Sequence, residues 1–132
     1  MTQLVMCHGV FDLLHPGHIE HLRQARCCGT HLYVSLVPGK FATKRPPIYT
    51  DEERFDMLIA LQDVDVVDLC DGPGPEKLIE RWRPKLYIRG SEYVGKEMPE
   101  SALLKALGIP VVYTQPIPLH TSDIIARIKA LP

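Results

Sequence analysis

The sequence predicts an α/β domain in which helices cover both faces of a parallel five-stranded sheet. Two observations predict it: short apolar runs alternate with segments of helical spacing, and neither a linker nor an internal repeat interrupts this order. The strands are predicted at Leu4–Cys7, His31–Val37, Val64–Leu69, Leu86–Arg89 and Val111–Thr114. With 132 residues, of which 45% are hydrophobic, the chain suffices for one domain over 1–132 but not for two.

Each predicted helix has a start or stop signal. After the first strand, apolar residues recur at helical spacing from Pro16 until Gly29. Thr50 and Glu53 form a capping box at the start of the next helix, over Thr50–Leu61. The other helices are predicted at Pro75–Trp82, opened by proline, at Pro99–Leu107, ended by Gly108, and at Ser122–Ala130.

The junction between the first strand and the first helix is the most informative stretch. It reads Gly9-Val10-Phe11-Asp12-Leu13-Leu14-His15-Pro16-Gly17-His18. Because the helix begins at Pro16, its free N–H groups and the positive end of its dipole face whatever lies beyond the strand. His15 and His18 add further hydrogen-bond donors. The junction therefore predicts a phosphate-binding site.

This stretch resembles the signature of the His-x-Gly-His nucleotidyltransferase superfamily, above all its cytidylyltransferase-like branch. The resemblance implies a Rossmann-like three-layer α/β/α fold, often a homodimer, in which a nucleoside triphosphate and a phosphorylated alcohol or sugar give a linked product and pyrophosphate. It implies that His15 and His18 stabilise the charge that develops at the α-phosphorus. It also places the nucleotide against Gly9, Val10, Phe11 and Gly17, and the acceptor substrate against Asp12.

A second stretch, Lys44 to Arg54, is a basic, proline-stiffened loop that leads into the capped helix. It resembles the corresponding segment of ethanolamine-phosphate and related cytidylyltransferases. The resemblance implies that Lys44 is catalytic, through contact with the phosphates, and that Arg54, projecting from the first helical turn, holds the substrate phosphate. The alternative is a solvated loop followed by a surface arginine.

A third stretch, His120 to Ile128, resembles a family segment rich in serine and threonine. Thr121 and Ser122 are expected at a helix start, where hydroxyl and N–H groups cap the helix or bind nucleotide phosphate. The sequence departs from the family here, because Pro116-Ile117-Pro118-Leu119 lacks the arginine that glycerol-phosphate cytidylyltransferases carry. Arg89 to Tyr93 resembles adenylyltransferase domains that act on heptose phosphate, which also lack it, so Arg89 is a candidate for the missing nucleotide-binding cation.

These resemblances favour transfer of CMP from CTP to a small phosphorylated alcohol such as glycerol 3-phosphate, with Mg²⁺ held mainly by the nucleotide phosphates. One alternative is an ATP-dependent adenylyltransferase acting on a sugar phosphate or on flavin mononucleotide. A second is a catalytically silent nucleotide-binding module, against which the intact His15, His18 and Lys44 argue.

Other function classes fit less well. The chain has neither a Gly-x-Gly-x-x-Gly fingerprint nor a Walker A sequence, which disfavours dinucleotide oxidoreductases and P-loop NTPases. A net charge of −1 argues against nucleic acid or membrane partners held by bulk charge. Without a bilayer-length apolar run or a signal-peptide pattern, we expect a cytoplasmic protein. A zinc site at His15, His18 and His21 is disfavoured, since no nearby Cys, Asp or Glu completes a tetrahedral set.

Overall fold

Strand β1 (Leu4–Gly9) lies at the centre of a parallel five-stranded sheet in the computed structural model, which describes residues 1–116 and 118–132. On one side of β1 lie β2 (His31–Leu36) and then β3 (Val66–Leu69). On the other side lie β4 (Leu86–Arg89) and then β5 (Val111–Tyr113). All five predicted strands are present. β3 begins later than predicted because Val64 lies in a turn, where its N–H donates to Leu61 O.

Five α-helices connect and follow these strands: α1 (Pro16–Arg26), α2 (Asp51–Ile59), α3 (Glu76–Trp82), α4 (Ser101–Leu107) and α5 (Thr121–Lys129). The predicted capping box at α2 is confirmed, since Thr50 Oγ1 accepts the Glu53 N–H and the Glu53 carboxylate accepts the Thr50 N–H. Gly108 ends α4 in the left-handed region, at φ +70°, which glycine adopts without steric cost.

The strands bury both of their faces, as the apolar runs predicted. On one face, Val5 and Cys7 of β1 pack with Leu22 of α1 and Leu58 of α2. On the other face lies a second cluster, which contains Met6, Tyr33, Tyr87, Ile79 of α3 and Leu104 of α4. Helices therefore cover the sheet on both sides, and the predicted three-layer Rossmann-like fold is confirmed.

The strand order reverses beside β1. The chain passes from β1 to β2 on one side and later crosses from β3 to β4 on the other side. In open parallel sheets, ligands bind in the crevice at the carboxyl ends of the strands, where such a reversal occurs. Gly9 ends β1 at this point, so the junction that runs from Gly9 to His18 lies at the crevice.

Within residues 1–116 and 118–132, no helix has the length and apolar character needed to cross a membrane. Ile117, part of the stretch that departs from the family pattern, lies outside the described residues.

Candidate active site

A cavity of about 780 Å³ opens at the carboxyl ends of the strands. Its walls come from the loop between β1 and α1, from the loop after β2, and from the segments after β4 and β5. Every residue predicted to bind or act lines it except Arg54. These residues are Gly9, Val10, Phe11, Asp12, His15, Gly17, His18, Lys44, Arg89, Thr121 and Ser122. The fold thus brings four separate stretches of sequence to one site.

His15 caps helix α1 and also faces the cavity. Its Nδ1 accepts a hydrogen bond from the backbone N–H of Gly17 at 3.0 Å. The backbone of His15 is extended, as is typical of an N-cap residue. An accepting Nδ1 carries no hydrogen, so the neutral ring holds its proton on Nε2. Nε2 lies 3.5 Å from Thr121 Oγ1, at the start of α5. One nitrogen therefore fixes the helix end, and the other can donate a hydrogen bond.

His18 stacks on His15 in the first turn of α1. The two ring centroids lie 3.9 Å apart, and Phe11 packs edge-on against His18 with centroids 5.8 Å apart. Burial, reinforced by His15 and His21, lowers the pKa of His18 to about 3. Burial likewise lowers the pKa of His15, with His120 acting in the same direction. Both rings are therefore neutral near pH 7, and each offers one N–H donor.

The neutral histidines make stability depend on pH. The pKa of His18 is about 3 and that of His8 about 4, both below the ordinary 6.5. As pH falls below about 6.5, these histidines become protonated in the unfolded chain but stay neutral in the folded protein. Protons therefore stabilise the unfolded state, and the free energy of unfolding falls. We expect His18→Gln to lose less stability between about pH 7 and pH 5 than the wild type does in chemical denaturation. Exposed His31→Gln is the control, and equal pH dependence in His18→Gln and wild type would contradict this prediction.

The loop before α1 stores backbone strain and allows a close approach. Phe11 and Leu13 have positive φ, +50° and +48°, a conformation that costs about 1–3 kcal/mol per residue and is concentrated at functional sites. A Cβ on Gly17 would lie 2.6 Å from His15 Cε1 and 2.7 Å from Leu119 O. Residue 17 must therefore be glycine if the His15 ring and the Leu119 carbonyl are both to pack against the start of α1.

Three cationic side chains line the cavity, Lys44, Arg45 and Arg89, and two of them, Lys44 and Arg89, lie on opposite sides of β1. Arg89 ends β4 and is 8% exposed; its Nη1 donates to His8 O at 2.7 Å and its guanidinium lies 3.8 Å from the Tyr93 ring centroid. Its Nε is buried without a partner among the described residues. Lys44, on the loop after β2, is exposed. Arg89 is thus a fixed cation, whereas Lys44 depends on its loop for position.

Thr121 and Ser122 begin helix α5, as predicted, and line the cavity beside His15. Thr121 Oγ1 lies 3.4 Å from Asp12 O. The Asp123 carboxylate accepts the His120 N–H at 2.8 Å, which helps to cap the helix. Two helix starts, those of α1 and α5, therefore meet at the same side of the cavity, and the dipoles of both favour an anion between them.

Arg54 is not on the cavity wall, and the expectation that it projects from α2 is wrong. The side chain is fully buried. Its guanidinium donates to Val10 O and Val37 O at 2.8 Å, to Tyr49 O at 3.3 Å and to the Asp51 carboxylate. Arg54 thus joins the segments that follow β1 and β2 to the end of the lysine-bearing loop. These contacts assign it to the support of the site and leave it no exposed face for a substrate phosphate.

Sequence reasoning missed part of the wall. His21, considered above only as a zinc ligand, lies in the wall with its Nδ1 2.8 Å from Thr114 Oγ1. His8, to which the sequence analysis assigns no role, is the penultimate residue of β1, and its ring lies between Ser35 Oγ at 2.9 Å and Pro73 O at 3.3 Å. The sequence did contain a signal for His8, because the first polar residue after a buried apolar run lies at the carboxyl end of the strand.

Metal ligands are sparse. Across residues 1–116 and 118–132, no group of three or more His, Cys, Asp and Glu side chains is arranged to hold a metal ion. Asp12 lies in the wall, but its oxygens accept from Arg45 and from the N–H groups of Ile48 and Tyr49. Both Asp12 oxygens are therefore already paired within the protein.

The arrangement suits transfer between phosphates. Neutral imidazole donors, two helix starts and the cationic side chains of Lys44 and Arg89 surround a cavity at the reversal point of a parallel sheet, and all of them stabilise negative charge. Fold and site together define a nucleotidyltransferase domain. The chain matches the family described as "Cytidylyltransferase-like" over residues 6–127. It belongs to the cytidylyltransferase-like family.

Similar proteins extend this result. The chain is 34% identical over 133 residues to the "Bifunctional protein HldE" of Methylobacillus flagellatus, covering 97% of this chain and 27% of that protein. It is 35% identical over 107 residues to the protein of the same name from Wolinella succinogenes, covering 78% of this chain and 23% of that protein. The chain therefore spans about a quarter of the length of these curated relatives.

A solved structure shares the fold. It is the crystal structure of the lipopolysaccharide core biosynthesis protein from Thermoplasma volcanium, which superposes with a TM-score of 0.77 at 23% identity. The match covers 89% of this chain and 99% of that one. The fold described above is thus found almost whole in an experimental structure.

Proposed function

We propose that this chain transfers a nucleoside monophosphate from a nucleoside triphosphate to a phosphorylated small molecule and releases pyrophosphate. The observation that carries the proposal is the stacked pair His15 and His18 at the start of α1, with Lys44 and Arg89 on either side of β1. This set neutralises phosphate charge. It offers no strong base, and none is needed, because a phosphate oxygen is already ionised when it attacks.

Each group then has a distinct task. The Nε2–H of His15 and the ring of His18 donate to oxygens on the reacting phosphorus, where negative charge grows in the transition state. Lys44 reaches the phosphates from its loop, and Ser122 and the N–H groups of α5 hold the departing pyrophosphate. Mg²⁺, carried in by the triphosphate, would supply additional charge neutralisation at the phosphate oxygens.

For the substrates we propose ATP and a sugar phosphate, the alternative raised by Arg89 to Tyr93, in preference to CTP and glycerol 3-phosphate. Arg89 is buried in the cavity wall, and its Nε has no hydrogen-bond partner within residues 1–116 and 118–132. Arg89 lies in the segment that resembles heptose-phosphate adenylyltransferases. The arginine typical of glycerol-phosphate cytidylyltransferases is absent before Thr121. The two curated relatives described above also share one name, which is not that of a glycerol-phosphate cytidylyltransferase.

We predict that kcat/KM is about tenfold or more higher with ATP than with CTP, because polar groups placed for one base are left unpaired by another. The measurement is pyrophosphate release with ATP, CTP, GTP and UTP. Each is paired with a heptose 1-phosphate, glycerol 3-phosphate, phosphoethanolamine or flavin mononucleotide, and the product mass is checked. A preference for CTP with glycerol 3-phosphate would overturn the substrate assignment and leave the reaction class intact.

The same assay separates an enzyme from a silent module. A nucleotide that raises the melting temperature but yields no pyrophosphate with any of these acceptors would favour a binding module. The homodimer and the cytoplasmic location expected from the sequence stay predictions, to be checked by light scattering and by cell fractionation.

A further inference from the structure

Asp12 is bound to the loop that carries Lys44. We call residues 42–50 the lysine loop. The Asp12 carboxylate is 4% exposed, and Oδ2 accepts from Arg45 Nη1 at 3.0 Å and from the Ile48 N–H at 2.8 Å, while Oδ1 accepts the Tyr49 N–H at 3.1 Å. All three donors belong to the lysine loop. One buried side chain on the loop before α1 thus holds the later half of another loop.

The backbone on either side of Asp12 is shaped for this contact. Phe11 and Leu13, its immediate neighbours, both have positive φ, which side-chain-bearing residues rarely adopt. Burial alone would raise the pKa of Asp12, yet the N–H groups of Ile48 and Tyr49 and the guanidinium of Arg45 hold it below its ordinary value. The carboxylate is therefore ionised at neutral pH.

An ionised carboxylate would repel substrate phosphate if it were free. Its charge is offset by Arg45, and its oxygens are occupied by the lysine loop. Lys44 lies next to Arg45 and is exposed on the cavity wall. Because a flexible lysine contributes to transition-state binding only when it is held in place, whatever fixes Arg45 and Ile48 also fixes where Lys44 can reach.

We propose that Asp12 is a positioning residue that latches the lysine loop so that Lys44 reaches the reacting phosphates. The role rests on the proposed function, since it gives Lys44 a phosphate to reach. It replaces the direct substrate contact that the sequence resemblance implied for Asp12. We call the contacts of Asp12 with Arg45, Ile48 and Tyr49 the latch, and Arg45 is its partly exposed side chain.

The first test is a double-mutant cycle on kcat/KM for pyrophosphate release. If Asp12 acts through Lys44, Asp12→Asn and Lys44→Ala each lower kcat/KM by about tenfold or more, and the double variant is no worse than the poorer single variant. Arg45→Gln, which removes a partly exposed group, shows the same coupling to Lys44→Ala with a smaller loss. Asp56→Asn, an isosteric change at an exposed position of α2, leaves kcat/KM unchanged. Losses that multiply in both double variants would overturn the latch.

The second test needs no activity and therefore separates the latch from the proposed function. Hydrogen exchange of the ligand-free protein compares the Ile48 and Tyr49 amides in wild type, Asp12→Asn and Arg45→Gln. The latch predicts faster exchange at these amides in Asp12→Asn, with the amides of β1 and β4 unchanged. Unaltered exchange would overturn the latch even in an active enzyme. Faster exchange in a protein that releases no pyrophosphate would keep the latch and overturn the reaction. If Asp12→Asn does not fold, Arg45→Gln decides by the same readout.

Discussion

Replacing His18 by alanine should lower kcat by about 10²–10³ while the protein stays folded, the loss typical of a preorganised donor to a developing oxyanion. The neutral ring is held by His15 on one face and by Phe11 at its edge, so little reorganisation is needed at the moment of reaction. Because the donor acts mainly in the transition state, kcat and kcat/KM should fall together.

The control for His18→Ala is His31→Ala, at an exposed histidine on β2 far from the cavity wall. Near-wild-type turnover in a folded His18→Ala protein would refute the catalytic role. His15→Ala is less clean, because the same substitution removes the Nδ1 that caps α1 through Gly17, and a lost cap costs about 0.5–2 kcal/mol. His18 therefore gives the sharper test.

The sequence predicted most of the fold because the strands here carry a local signal. β1 to β5 are short apolar runs, and the helices between them have their own start or stop residues, such as Thr50 and Gly108. Strand order is not local, yet the alternation of elements suffices to predict a parallel sheet with its site at the carboxyl ends. Boundaries shifted where non-local or turn contacts decide them: β3 begins after the turn that ends at Val64, and β1 extends to Gly9 because His8 and Gly9 continue the pairing with β2.

The candidate site was predictable where its residues form a contiguous pattern and not where tertiary contacts decide. His15, His18 and Gly17 lie in one ten-residue stretch, and the fold places them together. His21 and Thr114 meet only because α1 packs beside the end of β5. For Arg54, the sequence predicted an exposed side chain that is buried in the structure. A charged residue on an amphipathic helix suggests a solvent-facing side chain, and nothing local shows that carbonyls after β1 and β2 require its donors.

Arg54 should therefore matter most to folding. We expect Arg54→Ala to lower the free energy of unfolding by about 3–5 kcal/mol, since it leaves the Val10 and Val37 carbonyls unpaired in the interior and opens a cavity. The measurement is chemical denaturation, with the midpoint falling at an unchanged m-value. Arg127→Ala, at an exposed arginine of α5, should stay within about 0.5 kcal/mol of wild type.

The Arg54→Ala variant also distinguishes two roles for this residue, structural support of the site and binding of a substrate phosphate. A supporting residue should weaken stability strongly, and pyrophosphate should still bind to the Arg54→Ala protein at low temperature, where the folded fraction is measurable. If instead stability were unchanged and only pyrophosphate binding were lost, the guanidinium would have to leave its four hydrogen bonds to reach the cavity. Leaving the interior would break these hydrogen bonds and leave their buried acceptors unpaired. We therefore expect Arg54→Ala to lower the free energy of unfolding, not the affinity for pyrophosphate.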